Sequence, residues 1–280
     1  MERQPDHDTP MSISPKIPSL VRGYLGLLGA LVVMIGLFGL RSEHFLTLKT
    51  FSTIANQIPD LLVMAVGMTF VLIIGGIDLS VGSVLALAGS TVSVAVMKWG
   101  WGPLPAALLG VLAAALCGVV TGAVTVAWRI PSFIVSLGVL EIARGLAYRL
   151  TDSRTEYIGE TFAWLSTPFV FGVSPAFLVA FACMVVAQVV LVKTVFGRYL
   201  IGIGTNEEAV RLAGIDPRPY KITVFVLVAA LAGLAALFQV SRLEAADPNA
   251  GIGVELQVIA AVVIGGTSLM GGRGSMLATF

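Results

Sequence analysis

"PLPAALLGVLAAALCGVVTGAVTVA", residues 103–127, runs for 25 positions without one charged side chain. A helix rises about 1.5 Å per residue and the hydrocarbon core of a bilayer is about 30 Å thick, so a run of this length crosses it once as a helix. The rest of the chain has the same character. Of its 280 residues 57% are hydrophobic and only 12% are charged, with a mean hydropathy of +0.95, whereas soluble domains carry roughly 25% charge. Transmembrane barrel strands would need segments of about ten residues alternating in hydrophobicity, which the sequence lacks. The expected fold is therefore all-α, a polytopic transmembrane helical bundle.

Apolar runs near residues 20–40, 58–75, 79–97, 103–127, 131–150, 172–195, 220–241 and 255–280 give about eight spans over one transmembrane domain, residues 20–280. The last run reaches Phe280 with no polar flank, so further chain is expected after it. Residues 1–19 hold four prolines and read as a disordered tail. With that tail in the cytoplasm and each run crossing once, inner segments hold ten Lys and Arg and outer ones six, the bias expected of this orientation. Trp99, Trp101, Trp128 and Trp164 then fall near span ends, as an aromatic belt places them. Gly118 and Gly122, four apart, suit close packing of helices.

The composition also excludes. A net charge of +1 offers nothing to a nucleic acid. Cys117 and Cys183 sit in apolar runs as buried reduced thiols, and His7 and His44 are isolated, so neither a metal site nor a catalytic set is expected. No GxxxxGK[ST] phosphate-binding loop occurs. Any ATP-driven step must be supplied by another subunit.

Against this background "FGRYLIGIGTNEEAVRLAGIDPRPYK", residues 196–221, puts seven charged residues into 26 positions. Burying them would cost on the order of 20 kcal/mol, so the segment lies outside the hydrocarbon. Thr205 and Glu208 form a capping box, in which hydroxyl and carboxylate each satisfy the other's backbone N–H, and Glu207 and Glu208 suit the positive helix end. Gly214 in the left-handed conformation, Ile215 folding back toward Val210 and Pro217 end the helix. A helix of about eight residues is marginal alone and needs a docking surface, either its own bundle or a soluble partner.

Two further segments interrupt the apolar runs. "IGGIDLSVG" (74–82) and "IGGTSLMGG" (264–272) share I-G-G-x-x-L-x-x-G, placing Gly75 and Gly76 beside Asp78, and Gly265 and Gly266 late in the chain. Glycine-interrupted hydrophobic segments in two halves point to a transport pathway or hinge, with chance similarity of Gly-rich sequence as the rival. Asp78 is either a functional carboxylate or the cap of the helix that follows it. Glu141 and Arg144, at i and i+3, suit a structural ion pair, with a substrate contact as the rival. Asn56, Gln57, Gln239 and Gln257 suit interhelical hydrogen bonds, with contact to a hydroxylated solute as the rival.

Together "GGIDLSVGSVLALAG", "RIPSFIVSLGVLEIARGLAYRL", "GRYLIGIGTNEEAVRLAGID" and "GIGVELQVIAAVVIGGTSLMGGRGS" resemble the permease subunit of bacterial ABC importers for monosaccharides, the ribose, xylose and galactose group. The resemblance covers residues 20–280 and implies a multi-pass protein of the bacterial inner membrane, with a coupling helix near 205–216 seated in a cytoplasmic ATPase. It assigns the ATPase contact to Thr205, Glu207, Glu208, Arg211 and Gly214. It also implies a second permease chain, an extracytoplasmic sugar-binding protein, and ATP and Mg on the ATPase with no cofactor on this chain. The rivals are a permease of the same superfamily for amino acids, nucleosides or a furanosyl signal, and a transporter driven by an ion gradient.

Overall fold

The computed structural model describes residues 19–169 and 172–279, with side chains from residue 29 onward, so residues 1–18 of the expected tail lie outside the described residues. Each apolar run forms helix: α1 (Ser19–Arg41), α2 (Leu48–Gln57), α3 (Pro59–Ile73), α4 (Val81–Met97), α5 (Pro103–Trp128), α6 (Ser132–Leu150), the short α7 (Ala163–Ser166), α8 (Pro175–Lys193), α9 (Val195–Leu212), α10 (Arg218–Leu243), α11 (Val254–Ile264) and α12 (Met276–Thr279). Among the described residues the strands are β1 (Glu156–Tyr157) and β2 (Ala245–Ala246), paired antiparallel. The chain divides into two compact units, up to Phe51 and from Ser52 onward. In the first, the Phe38 and Phe45 rings lie 5.5 Å apart, and Thr47 and Thr50 both donate to the His44 carbonyl.

Among the described residues α5, α8 and α10 are each long and apolar enough to cross a membrane, and α2 with α3 makes a fourth such span bent by 53°. Pro59 stands at the bend, where it can donate no hydrogen bond back to the preceding turn. α4 and α11 are apolar but shorter, at 17 and 11 residues. The expected single span over 255–280 is overturned. α11 ends at Ile264, where the Gly266 N–H bonds to the Val263 carbonyl and the Thr267 N–H to Val262, with Gly266 at φ +88°. That is a Schellman closure, which glycine alone adopts without a steric cost.

In the second unit α10 is the central helix, packed on α5, α3 and α4. α5 meets α10 through the expected glycines: a Cβ on Gly118 would lie 2.4 Å from the Phe225 carbonyl oxygen, and one on Gly122 2.9 Å from Ile222 Cα. Backbones approach this closely only where side chains are absent, and lipid-embedded helices gain most of their packing contact this way. At one end of the unit Asp60, opening α3, pairs with Arg242 of α10 at 2.8 Å, near the β1–β2 ribbon. The opposite end carries α9.

Candidate functional site

At the α9 end the chain kinks. Asn206 has extended backbone (φ −160°, ψ 96°) inside α9, dividing it into an apolar first part and a six-residue second part, Glu207–Leu212. The cap is Asn206, whose Oδ1 accepts from the Ala209 N–H at 2.9 Å. This corrects the capping box: the Thr205 hydroxyl donates to the Ile201 carbonyl at 2.8 Å, because residue 205 still belongs to the preceding helical turn. The C-terminal expectation agrees with the geometry. Gly214 has φ +83°, and the Ile215 N–H reaches the Val210 carbonyl at 3.2 Å.

Glu207 holds this short helix to α10 by accepting from Lys221 Nζ at 2.7 Å, while Arg211 lies 3.5 Å from Glu207 and 3.9 Å from Glu208. Exposed pairs of this kind contribute roughly 0.3–0.5 kcal/mol, too little for stability to account for the cluster. Beside it opens a hollow of about 550 Å³, lined by Arg129, Arg211, Arg218 and Lys221 against Glu207 and Glu208, with Gly75 and Gly76 on its inner wall. Its net character is cationic. Leu212, at 82% exposure, projects from the end of the same helix.

Immediately before the kink three glycine segments meet. A Cβ on Gly204 would lie 1.8 Å from the Ile73 carbonyl oxygen and 2.5 Å from the Gly272 nitrogen, and one on Gly271 2.7 Å from the Gly204 carbonyl. The Gly272 N–H donates to the Ile73 carbonyl at 2.9 Å, satisfying an acceptor left free where α3 ends. The α3 terminus and the turn after α11 are thus joined to each other and to α9. The two glycine motifs do share a device, but one residue out of the register their letters give. Gly75 (φ +74°) closes α3 with the same pair of bonds by which Gly266 closes α11, because Ile264 is helical where Ile74 is not. Gly265 instead packs against the Ala278 and Thr279 backbone.

From Gly75 to Ser80 the backbone is irregular, and α6 supplies its missing partners. Ser132 Oγ accepts from the Ile77 N–H and donates to the Ile77 carbonyl, both at 2.9 Å, and Ser136 Oγ accepts from the Leu79 N–H at 3.0 Å. Asp78, 1% exposed, accepts through one oxygen from the Ser80 N–H (2.8 Å) and hydroxyl (2.6 Å); its other oxygen has no partner among the described residues. It therefore holds the turn before α4, which begins at Val81.

Farther along α6 the same face holds a second irregular segment. Arg144 donates to the carbonyls of Pro248 and Ala250, and the Tyr148 hydroxyl donates to Asn249 Oδ1 at 2.7 Å. This corrects the expected Glu141–Arg144 ion pair: the guanidinium turns to the carbonyls of an irregular loop, whose backbone acceptors have no helical or strand partner. The loop from 247 to 253 descends beside α4 until Gly251 touches Gly82, where a Cβ on either glycine would lie within 2.5 Å of the other's carbonyl oxygen. Gly82 is about 22 Å along α4 from Met97, so the loop penetrates well into the bundle.

Helices broken at two places, with the breaks meeting inside the bundle and the ends of both broken helices joined beneath a charged surface helix beside a cationic hollow, form the framework of a transport protein. Residues 50–280 match the family described as branched-chain amino acid transport system / permease component. The chain belongs to this permease family. It is 36% identical to the ribose import permease protein RbsC of Haemophilus influenzae over 258 residues, covering 89% of this chain and 79% of the relative. The L-arabinose ABC transporter permease protein AraH of Azospirillum brasilense is 34% identical over 277 residues, 96% of this chain and 81% of the relative. The autoinducer 2 import system permease protein LsrC of Yersinia pestis is 31% identical over 249 residues, 89% and 71%. No solved structure matches. The expected resemblance to importer permeases is borne out by these relatives.

Two features of the permease escaped the sequence reading. Leu212 stands out only once Glu207, Arg211 and the α10 contact show which face of the short helix is covered. Ser132, Ser136, Arg144 and Tyr148 lie on one stripe of α6 at multiples of four, a signal present in the letters but meaningless before the irregular segments they serve are known.

Proposed function

We propose that this permease is the transmembrane subunit of an ATP-driven ABC importer in a bacterial inner membrane, carrying a sugar handed over by an extracytoplasmic binding protein. The family description names branched-chain amino acids, while the relatives named above import ribose, L-arabinose and autoinducer 2; the sugar reading follows the relatives. A separate cytoplasmic ATPase, which binds ATP and Mg, takes the Asn206–Gly214 segment into a cleft, and a second permease copy completes the pathway. Thr205, Glu207, Glu208, Arg211 and Gly214 are the coupling positions, to which we add Leu212. The observation that carries this is the exposed Leu212 on a charged helix tied to α10 on one side and, through Gly204, to the ends of both broken helices. Such a helix converts a push from below into movement of Gly75 and Gly266, the proposed hinges.

The test is docking of the ATPase. Leu212→Asp in the full-length permease removes apolar burial of about 1.5–3 kcal/mol and adds a charge, so ATPase recovery with the detergent-solubilised permease should fall at least about tenfold while the permease stays inserted. Uptake that survives ATP depletion and collapses with an ionophore would overturn the reading in favour of a gradient-driven transporter.

A further inference from the structure

Above the second irregular segment, toward the β1–β2 end, a groove of about 420 Å³ runs along α6 over Gly145, Tyr148, Arg149, Asp152 and Ser153. Its rim is an exposed ion pair, Arg149 with Asp152 at 3.9 Å. The stretch of α6 before this groove, toward the middle of the helix, is less ordinary. Glu141 is exposed on α6 and Glu255 half-buried in the first turn of α11, and neither forms a hydrogen bond or ion pair with another described residue. Both lie within electrostatic reach of the Arg144 guanidinium, as does Asp247. Glu141 is about 14 Å from either end of α6, near the middle of a helix some 28 Å long. A carboxylate at that depth does not face lipid. The surface it occupies must be wet or must meet another protein surface.

We propose that this face, formed by Glu141, Arg144, Tyr148, Asn249 and Glu255, lines the passage through the membrane and contacts an uncharged polyhydroxyl solute. The proposal rests on the importer reading above. The chemistry fits that class more closely than any ion. Carboxylates with free lone pairs accept from hydroxyls, the guanidinium and Asn249 amide donate to them, and the exposed part of the Tyr148 ring offers a flat surface to C–H groups. Three acids around one cation repel an anion. Arg144 Nη1 donates to the Pro248 and Ala250 carbonyls, which fixes the guanidinium in place and leaves its other N–H groups for hydroxyls. Open space above Gly145 leaves room beside these groups, since a Cβ there would meet no atom within 4 Å. Contacts spread along the face, with none enclosing the solute, suit a passage whose occupant must leave again.

The test uses the complete transporter, permease with ATPase and binding protein, reconstituted in proteoliposomes. Radiolabelled D-ribose and L-arabinose are the probes for uptake. Glu141→Gln and Glu255→Gln keep shape and insertion, and each should reduce uptake on the order of tenfold while ATP hydrolysis stimulated by the loaded binding protein is unchanged. In a second assay Gly145→Cys, in a background with Cys117 and Cys183 replaced by Ala, should react with a membrane-impermeant thiol reagent added from the binding-protein side. Uptake at the parent rate by both Gln variants would overturn the proposal. So would a Gly145→Cys that stays unlabelled, or that forms a disulfide between two permease copies, which would make the face the permease–permease contact. Failure of the parent transporter to move either sugar would count against the sugar reading of its function, and labelling at position 145 would still decide whether the face is a water-lined passage.

Discussion

Arg144 shows how much one side chain can be asked to do at membrane depth. Its guanidinium supplies donors to two part-buried loop carbonyls, and an unsatisfied buried acceptor costs about 1–3 kcal/mol. Arg144→Met should therefore lower the thermal stability of the solubilised permease by several degrees, whereas Arg144→Lys, which keeps a donor but loses the fork, should fall between the two; equal melting of Met and Lys variants would argue that the carbonyls do not depend on this residue. The partners of Arg144 lie 104 and 106 positions away in sequence, which is why its own helix, with Glu141 at i−3, suggested a different role. Asp78 was more legible. A lone carboxylate after two glycines in an apolar run marks a break from the letters alone, and the structure adds that Ser80 is its partner. The cap of the short α9 helix was legible to within one residue, since Thr205 and Asn206 are both good caps and only the position of the kink chooses between them.

At the scale of elements, α6 acts as a rail that two irregular segments grip. Ser132 and Ser136 satisfy the backbone of residues 77–79, so Ser132→Ala with Ser136→Ala should leave the part-buried N–H groups of Ile77 and Leu79 without their side-chain partners. The double variant should lose roughly 2 kcal/mol and expose the 74–80 segment to proteolysis, while Ser166→Ala, at the end of α7, should leave that segment as resistant as the parent. The short helix after Asn206 depends on its C-terminus in a different way. Gly214 has φ +83° with open space around it, so a side chain there suffers from backbone conformation alone. Gly214→Val should keep the permease inserted but separate ATP hydrolysis from uptake; undiminished transport would remove the helix end from the coupling path. The helices themselves were legible because apolar runs of this length have few alternatives in lipid. The last run was misread because hydropathy cannot distinguish a span from a helix that stops at Gly266 and turns.

For the whole molecule, the closest approach of the three glycine segments ties distant parts of the chain into one joint. α9 arrives at residue 204, α3 leaves at 73 and the turn after α11 returns at 272, so in the proposed coupling a displacement of the short surface helix would be passed to both broken helices at once. This joint was invisible in the sequence, where Gly204 is one glycine among 31 and nothing pairs it with Ile73 or Gly272. Its tightness gives a sharp expectation. A methyl group on Gly204 would sit 1.8 Å from the Ile73 carbonyl oxygen, so the joint must open to admit it, and overpacking of this sort costs about 1–3 kcal/mol. A methyl group on Gly36, in α1, meets nothing within 4 Å. Gly204→Ala should therefore lower the melting temperature on the order of 5 °C and cut uptake while the ATPase still co-purifies, and Gly36→Ala should change none of these. Loss of ATPase binding in Gly204→Ala would place residue 204 in the docking surface itself, and normal uptake at reduced stability would show that the joint holds the fold without transmitting movement.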